Sequence, residues 1–156
     1  MTTKLYPKNK RLVFIISCAV VLGFVQPVLA NESGIVKTVR GQVRIERGAA
    51  SLEAKVGDPV QEKDRVVVQA GSSIGISMND ETLLSLGPNS AMVIDRYTYN
   101  PVTREGQVET SILKGTLRFV TGLIGRLHPS AIKVQTPTAT MGIRGTEFIV
   151  EVRDVK

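Results

Sequence analysis

The spacing of turns is the feature that most limits what this chain can fold into. After residue 30, Gly, Pro, Asn or Asp interrupts the chain about every 8 to 12 residues, and the runs between them have the length of strands. Ile74, Ile76 and Met78 show the alternation of apolar and small or polar side chains within such a run. No run keeps a 3.6-residue period. The pattern predicts an all-β fold, a single domain of short strands that is β-solenoid-like or sandwich-like.

Glycines stand before several of the alternating runs, namely Gly41, Gly71, Gly115 and Gly145. Their spacing is irregular, so the pattern by itself favours a general all-β fold over a β-solenoid. Leu52–Val56 fits either a short strand or a helical turn, and both readings stay open.

The longest predicted strand runs from about Val108 to Thr121. It carries Leu113, Leu117 and Phe119 on one face, with Gly115 between them. Because the chain has no Trp and only 4% aromatic residues, the core beneath such strands must be largely aliphatic.

The N-terminal segment has the pattern of an export signal. A basic stretch is followed by an apolar run of fourteen residues, Leu12–Val25, and then by the small-residue site Val28–Ala30. The alternative is a membrane anchor, but the run is shorter than the roughly 20 residues that a spanning helix needs. We therefore predict a signal peptide over 1–30 and a β domain over 31–156. The protein is then periplasmic or extracellular, and it contacts a membrane only if the signal is retained.

Charge and cysteine content exclude several classes of function for the mature chain. Removing the four basic residues of the signal from the 20 Lys and Arg leaves 16, against 14 Asp and Glu, a net charge of +2. No basic run follows residue 30, so a nucleic-acid partner is not expected. Cys18 is the only cysteine and lies in the signal. The mature chain therefore has no disulfide, thiolate nucleophile or cysteine metal site.

Lys133–Val152 carries the most specific local pattern. It predicts a strand, a tight turn in which Gly142 and Gly145 present Arg144, and a second strand. In the second strand Phe148, Val150 and Val152 share one face and Glu147, Glu151 and Arg153 share the other.

The Gly-rich turn permits two interpretations. A phosphate cradle is weakly supported, because the Lys and the following helix of a phosphate-binding loop are missing. The favoured hypothesis is that Arg144 anchors the turn through charge-assisted hydrogen bonds to Glu147 or to another buried carboxylate.

Catalytic and metal-binding residues are not evident. His128 is the only histidine, stands beside Pro129 and has no neighbouring cluster of ligands. Asp58, Asp64 and Asp80 lie in predicted turns, where an Asp most often accepts hydrogen bonds from its own backbone. We therefore expect no enzyme activity, no cofactor and no metal.

A second candidate patch lies on the strand before Asn100. Arg96, Tyr97 and Tyr99 form an exposed recognition patch in one interpretation and ordinary half-buried strand packing in the other. Together with the Gly-rich turn, the candidate binding residues are Arg144, Glu147, Arg96 and Tyr97.

A family resemblance emerges from six blocks in order: Gly57-Asp58-Pro59-Val60, Asp64-Arg65-Val66, Ser73-Ile74-Gly75-Ile76, Thr82 to Ser90, Lys114-Gly115-Thr116-Leu117-Arg118-Phe119 and Thr136 to Phe148. These resemble the FecR domain over roughly 41–150, so the predicted β domain over 31–156 is expected to be FecR-like. Two positions depart from the family pattern, because Glu81 and Lys63 stand where the family commonly has Gly. Both residues tolerate positive φ poorly, so relaxed turns are expected there.

The resemblance implies an all-β fold with solenoid-like coiling. The name-giving members of the family are membrane-spanning regulators with a cytoplasmic domain that controls a sigma factor. Only about eleven residues precede the apolar run here, so the chain resembles the stand-alone exported form of the domain.

These observations lead to three functional hypotheses. The favoured one is an exported domain that binds another cell-envelope component, in signalling or envelope assembly, by protein–protein recognition at a sheet edge. The second is a module that binds cell-wall or surface polysaccharide, which needs exposed aromatic platforms. The third is an enzyme, which needs a pair of acidic residues in a cleft.

Overall fold

The structure, a computed structural model, describes residues 32–153, so the predicted signal peptide lies outside it. The strands are β1 Glu32–Arg40, β2 Val43–Arg47, β3 Ala50–Glu53, β4 Pro59–Gln61, β5 Arg65–Val68, β6 Ser73–Met78, β7 Leu83–Leu86, β8 Ala91–Tyr99, β9 Gly106–Val120, β10 Ile132–Gln135, β11 Thr140–Gly142 and β12 Glu147–Val152. One short helix, α1 Leu123–Leu127, and a 3-10 turn, Pro129–Ala131, follow β9. The prediction of an all-β fold is confirmed, and the open Leu52–Val56 segment begins as part of β3.

The strands form a curled 12-stranded sheet whose central order is β3-β2-β5-β8-β9-β7-β6-β1-β4. It folds into two halves. Sheet I contains β1, β4, β6, β7, β12 and the second part of β9. Sheet II contains β2, β3, β5, β8, β10, β11 and the first part of β9. Strand β9 therefore belongs to both halves and joins them.

One continuous core lies between the two sheets. As expected from the composition, it is mainly aliphatic, with buried valines, isoleucines and leucines from nearly every strand and Phe119 as its largest fully buried side chain. In the part of the chain that the structure describes, no helix is long and apolar enough to cross a membrane.

Strand β9 changes the face of its side chains where it passes between the sheets. Ile112 is buried, Leu113 is 38% exposed, and Leu117 is buried again. Gly115 lies between them with φ +81°, and the pairing with β8 shifts register beside it. An added residue in one strand reverses the alternation that follows. The prediction that Leu113 shares the buried face of Leu117 is therefore wrong.

Two corners between the sheets are built alike. Gly41 follows β1 with φ +70°, and Ser72 Oγ accepts the N–H of Gln42 at 2.8 Å. At the β9 corner Ser90 Oγ accepts the N–H of Thr116 at 2.9 Å. A Cβ on either glycine would meet the serine hydroxyl. Two of the four recurrent glycines, Gly41 and Gly115, thus mark close approaches of backbone to a serine side chain, whereas an added Cβ on Gly71 or Gly145 would meet nothing within 4 Å.

The two turns that depart from the family pattern keep a left-handed residue without glycine. Lys63 has φ 71° and Glu81 has φ 69°, so the expectation of relaxed turns at these positions is wrong. Each residue directly neighbours a fully buried carboxylate, Asp64 after Lys63 and Asp80 before Glu81. The hydrogen bonds of those carboxylates fix the turn and hold the strained residue in place.

The two strands predicted within Lys133–Val152 do not pair with each other as one hairpin. β10 pairs with β11 through a turn that contains Pro137, whereas β12 leaves this hairpin and pairs antiparallel with β9 in sheet I. The alternation within β12 is as predicted, with Phe148, Val150 and Val152 half-buried. A short segment cannot reveal its partner strand, because the same alternation fits either sheet.

Candidate functional site

Arg144 and Glu147 do not pair with each other. Glu147 accepts a hydrogen bond from Arg118 Nε at 2.6 Å, across from its own strand on β9. Arg118 thereby lowers the pKa of the Glu147 carboxyl. Arg144 is exposed and has no ion-pair partner among residues 32–153. The hypothesis that Arg144 anchors the turn through Glu147 is therefore wrong.

Arg96 and Tyr97 point to different environments. A bulge between Ile94 and Arg96 shifts the alternation of β8, so that Arg96 is exposed and Tyr97 is only 4% exposed. The Tyr97 hydroxyl accepts the Asp80 N–H at 2.9 Å and donates to Asp80 Oδ1 at 3.2 Å. Burial, followed by the charge of Asp80, raises the pKa of Tyr97 far above its ordinary range. The prediction of an exposed patch that includes Tyr97 is wrong.

The turn aspartates bond to backbone as predicted, and two of them do more. Asp58 accepts the Lys55 N–H at 2.8 Å. Asp80 is completely buried, and its Oδ2 accepts the Thr82 hydroxyl at 2.7 Å and the Ile124 N–H at 3.4 Å. Asp80 therefore joins the β6–β7 turn, α1 and β8 through Tyr97, a long-range role without a local sequence signal.

Asp64 is the second fully buried carboxylate. It accepts bonds from Arg47 Nε at 2.8 Å and Nη2 at 2.7 Å, in the bidentate arrangement that suits a guanidinium, and also from the Gln61 N–H at 2.8 Å. Hydrogen bonding to Asp64 raises the pKa of Arg47. The hydrogen bonds of both buried carboxylates, Asp64 and Asp80, are therefore made to groups of the fold itself.

No metal-binding group of three or more His, Cys, Asp or Glu is present between residues 32 and 153. His128 ends α1 and is exposed. The aromatic side chains in this range are Tyr97, Tyr99, Phe119 and Phe148, and each is buried or half-buried. None of the described aromatic rings offers the exposed platform that sugar stacking needs.

The outer edge of β3 is a more complete candidate interaction site. All four residues of β3 are exposed, and β2 is its paired neighbour. The Ala54 N–H bonds to the Val43 carbonyl at 2.9 Å, directly opposite in the register. Since ladder bonds alternate, Ala50 and Leu52 bond to β2, whereas the N–H and C=O groups of Ser51 and Glu53 point away from the sheet.

Open clefts flank β3 on both faces. The cleft on the outer face is polar and is lined by Gln42, Val43, Arg44, Ser51, Glu53 and Gln69. The cleft on the core side is mainly apolar and is lined by Ile45, Arg47, Leu52, Glu53, Lys55, Asp58 and Pro59. An added strand would thus find free backbone groups and separate clefts for its alternate side chains. A four-residue strand leaves too short a pattern for the sequence alone to reveal this edge.

The fold defines the class: an all-β domain of two sheets that share one long strand, with β3 as an edge strand of the described residues. Residues 64–156 match the family model for FecR protein, which is more than half of the chain, and the chain belongs to the FecR family. Membership supports a role in cell-envelope signalling and regulation. No curated protein and no solved structure matches the chain.

The strands ahead of the matched segment are part of the same sheets. β1 lies between β6 and β4, and β2 lies between β5 and β3. Residues 32–63 precede the segment that matches the family model, yet they form part of the same two sheets. The β3 edge lies within these preceding residues.

Proposed function

We propose that this chain is an exported, non-enzymatic binding domain that recognises an extended segment of another cell-envelope protein at the β3 edge. The observation that carries the proposal is the outward direction of the Ser51 and Glu53 backbone groups between two clefts. Backbone hydrogen bonds supply affinity in such strand addition, and alternate side-chain clefts supply specificity.

The clefts define the chemistry of the partner. The polar outer cleft suits side chains that hydrogen-bond with Gln42, Arg44 or Gln69, and the apolar inner cleft suits a branched aliphatic side chain against Ile45 and Leu52. A partner strand with alternating polar and aliphatic residues fits both. Family membership supports an envelope protein as its source.

Photo-crosslinking in living cells tests the proposal. A photoreactive amino acid at position 51 is expected to trap one specific envelope protein, whereas the same group at Val102, a loop residue that is 89% exposed, is expected not to trap it. A second variant carries Glu53→Pro, which removes an outward N–H without removing a bond to β2, and is expected to abolish the adduct. Equal trapping at both positions, an adduct that persists in Glu53→Pro, or capture of glycan alone contradicts the proposal.

A further inference from the structure

Strand β12 forms a second unpaired edge, in sheet I. It pairs with β9 and with no other strand of the described chain. Its inward residues Phe148, Val150 and Val152 are only half-buried, although they pack against the core. The Phe148 ring stacks on Phe119 with centroids 4.9 Å apart. The apolar inner face of sheet I therefore extends to the edge strand β12, where its side chains remain partly exposed.

The direction of the free backbone groups follows from one hydrogen bond. The Thr121 N–H donates to the Thr146 carbonyl at 2.8 Å, and these residues continue the β9–β12 register. Since bonded and non-bonded pairs alternate, Phe148 and Val150 bond to β9. The N–H and C=O groups of Glu147, Ile149 and Glu151 point away from the sheet.

The other edges are less suited to extending a sheet. β11 and β4 have three residues each, and β4 begins with Pro59, which has no N–H. β3 is exposed on both faces, so a strand added there completes no core layer. β12 combines six residues, outward backbone groups and an unfinished apolar face.

The sequence of β12 is complementary to itself in the antiparallel register centred on Val150. A two-fold axis at Val150 keeps both inner faces on one side of the sheet and places Phe148 opposite Val152 of the second copy. On the outer face it places Glu147 opposite Arg153 of the second copy, an attractive pair. The alternative axis at Ile149 places Glu147 opposite Glu151 of the second copy, and like charges opposite each other are destabilising.

We propose that the chain forms a two-fold symmetric homodimer in which the β12 strands of two copies pair antiparallel about Val150, making sheet I continuous across the dimer. In this register the residues with outward backbone groups face each other, Ile149 against Glu151 of the second copy. Val150 and its symmetry mate form a non-hydrogen-bonded pair, in which side chains approach closely. The dimer uses the β12 edge of sheet I and leaves the β3 edge of sheet II free. The dimer proposal therefore does not depend on the proposed recognition of a partner at β3.

Sedimentation velocity of the purified protein tests the assembly. A concentration-dependent dimer is expected. The Ile149→Pro variant removes an outward N–H and is expected to weaken dimerisation roughly tenfold or more. The matched variant Ser51→Pro removes an outward N–H at the β3 edge and is expected to leave the dimer unchanged. A protein that stays monomeric at all concentrations, or a dimer lost in Ser51→Pro and kept in Ile149→Pro, overturns the proposal.

Cysteine cross-linking tests the register. In a Cys18→Ser background no other cysteine is present. Paired residues at a non-hydrogen-bonded position have Cα atoms about 4.5 Å apart, which suits a disulfide. Val150→Cys is therefore expected to form a covalent dimer on mild oxidation. Ile149→Cys and Leu52→Cys, at the competing axis and on the other edge, are expected not to. Circular dichroism checks that each variant is folded, and cross-linking at either control position in place of Val150 refutes the register.

Discussion

The Ser90 hydroxyl occupies the space that a side chain on Gly115 would need. Ser90 Oγ accepts the Thr116 N–H at 2.9 Å, and an added Cβ at position 115 would overlap Ser90 Oγ and approach its backbone Cα. Gly115 also has φ +81°, which a side chain disfavours. This contact fixes the point at which β9 leaves sheet II and enters sheet I.

Gly115→Ala is therefore expected to destabilise the fold by about 3 kcal/mol, since it combines a strained backbone with overpacking. Gly48→Ala is the matched control. Gly48 has φ +57° with nothing within 4 Å of an added Cβ, so its substitution should cost only about 1 kcal/mol. Urea unfolding of both variants measures the difference. Equal losses would show that the Ser90 contact contributes nothing.

Glu81→Gly is expected to raise stability by about 1 kcal/mol. The exposed Glu81 adopts φ 69°, and glycine relieves the strain of that conformation at a smaller entropic cost. Glu81→Ala removes the same carboxylate but keeps the strain, so it should give no gain. The midpoint of urea unfolding separates the two variants, and an equal gain in both would assign the effect to charge.

Arg47→Ala is expected to cost roughly 3 kcal/mol, the low end for breaking a buried pair, because Arg47 keeps 32% of its side chain exposed. It leaves the Asp64 carboxylate buried without its cation. Arg65→Ala is the control, since the Arg65–Glu46 pair is 3.7 Å apart and largely exposed, and should cost less than about 1 kcal/mol. Chemical denaturation measures both. Similar values would mean that Asp64 is rehydrated when Arg47 is removed.

Alkaline pH is expected to destabilise the protein through Tyr97. Its raised pKa keeps the phenol protonated in the folded state, whereas an unfolded tyrosine ionises near pH 10. The unfolded chain then binds fewer protons, so stability is full below pH 10 and falls above it by about 1.4 kcal/mol per pH unit. Absorbance at the phenolate band should show Tyr97 ionising only with unfolding. In Tyr97→Phe this part of the slope should vanish, and an unchanged slope would contradict the assignment.

The local part of the fold could be predicted from residue patterns. The alternation of Ile74, Ile76 and Met78 and the faces of β12 needed only the two-residue period of a strand. Export of the chain and the choice of partner stay predictions.

The features that only the tertiary structure revealed depend on contacts between residues that are distant in the sequence. Leu113 and Leu117 lie on opposite faces because a bulge in β9 separates them, beside the place where Ser90, more than twenty residues earlier in the chain, accepts the Thr116 N–H. Tyr97 is turned inward by the bulge in β8, and its buried hydroxyl is hydrogen-bonded by Asp80 in the β6–β7 turn. Glu147 pairs with Arg118 because β12 joins β9.

The sequence by itself thus determined that this protein is built of short alternating strands with glycine corners, since backbone sterics and side-chain period act within a few residues. Only the tertiary structure decided which strand lies beside which, because alternating segments fit many partners and long-range packing selects among them. The β3 and β12 edges, which have no second partner strand within residues 32–153 and on which the two proposals rest, follow from that selection.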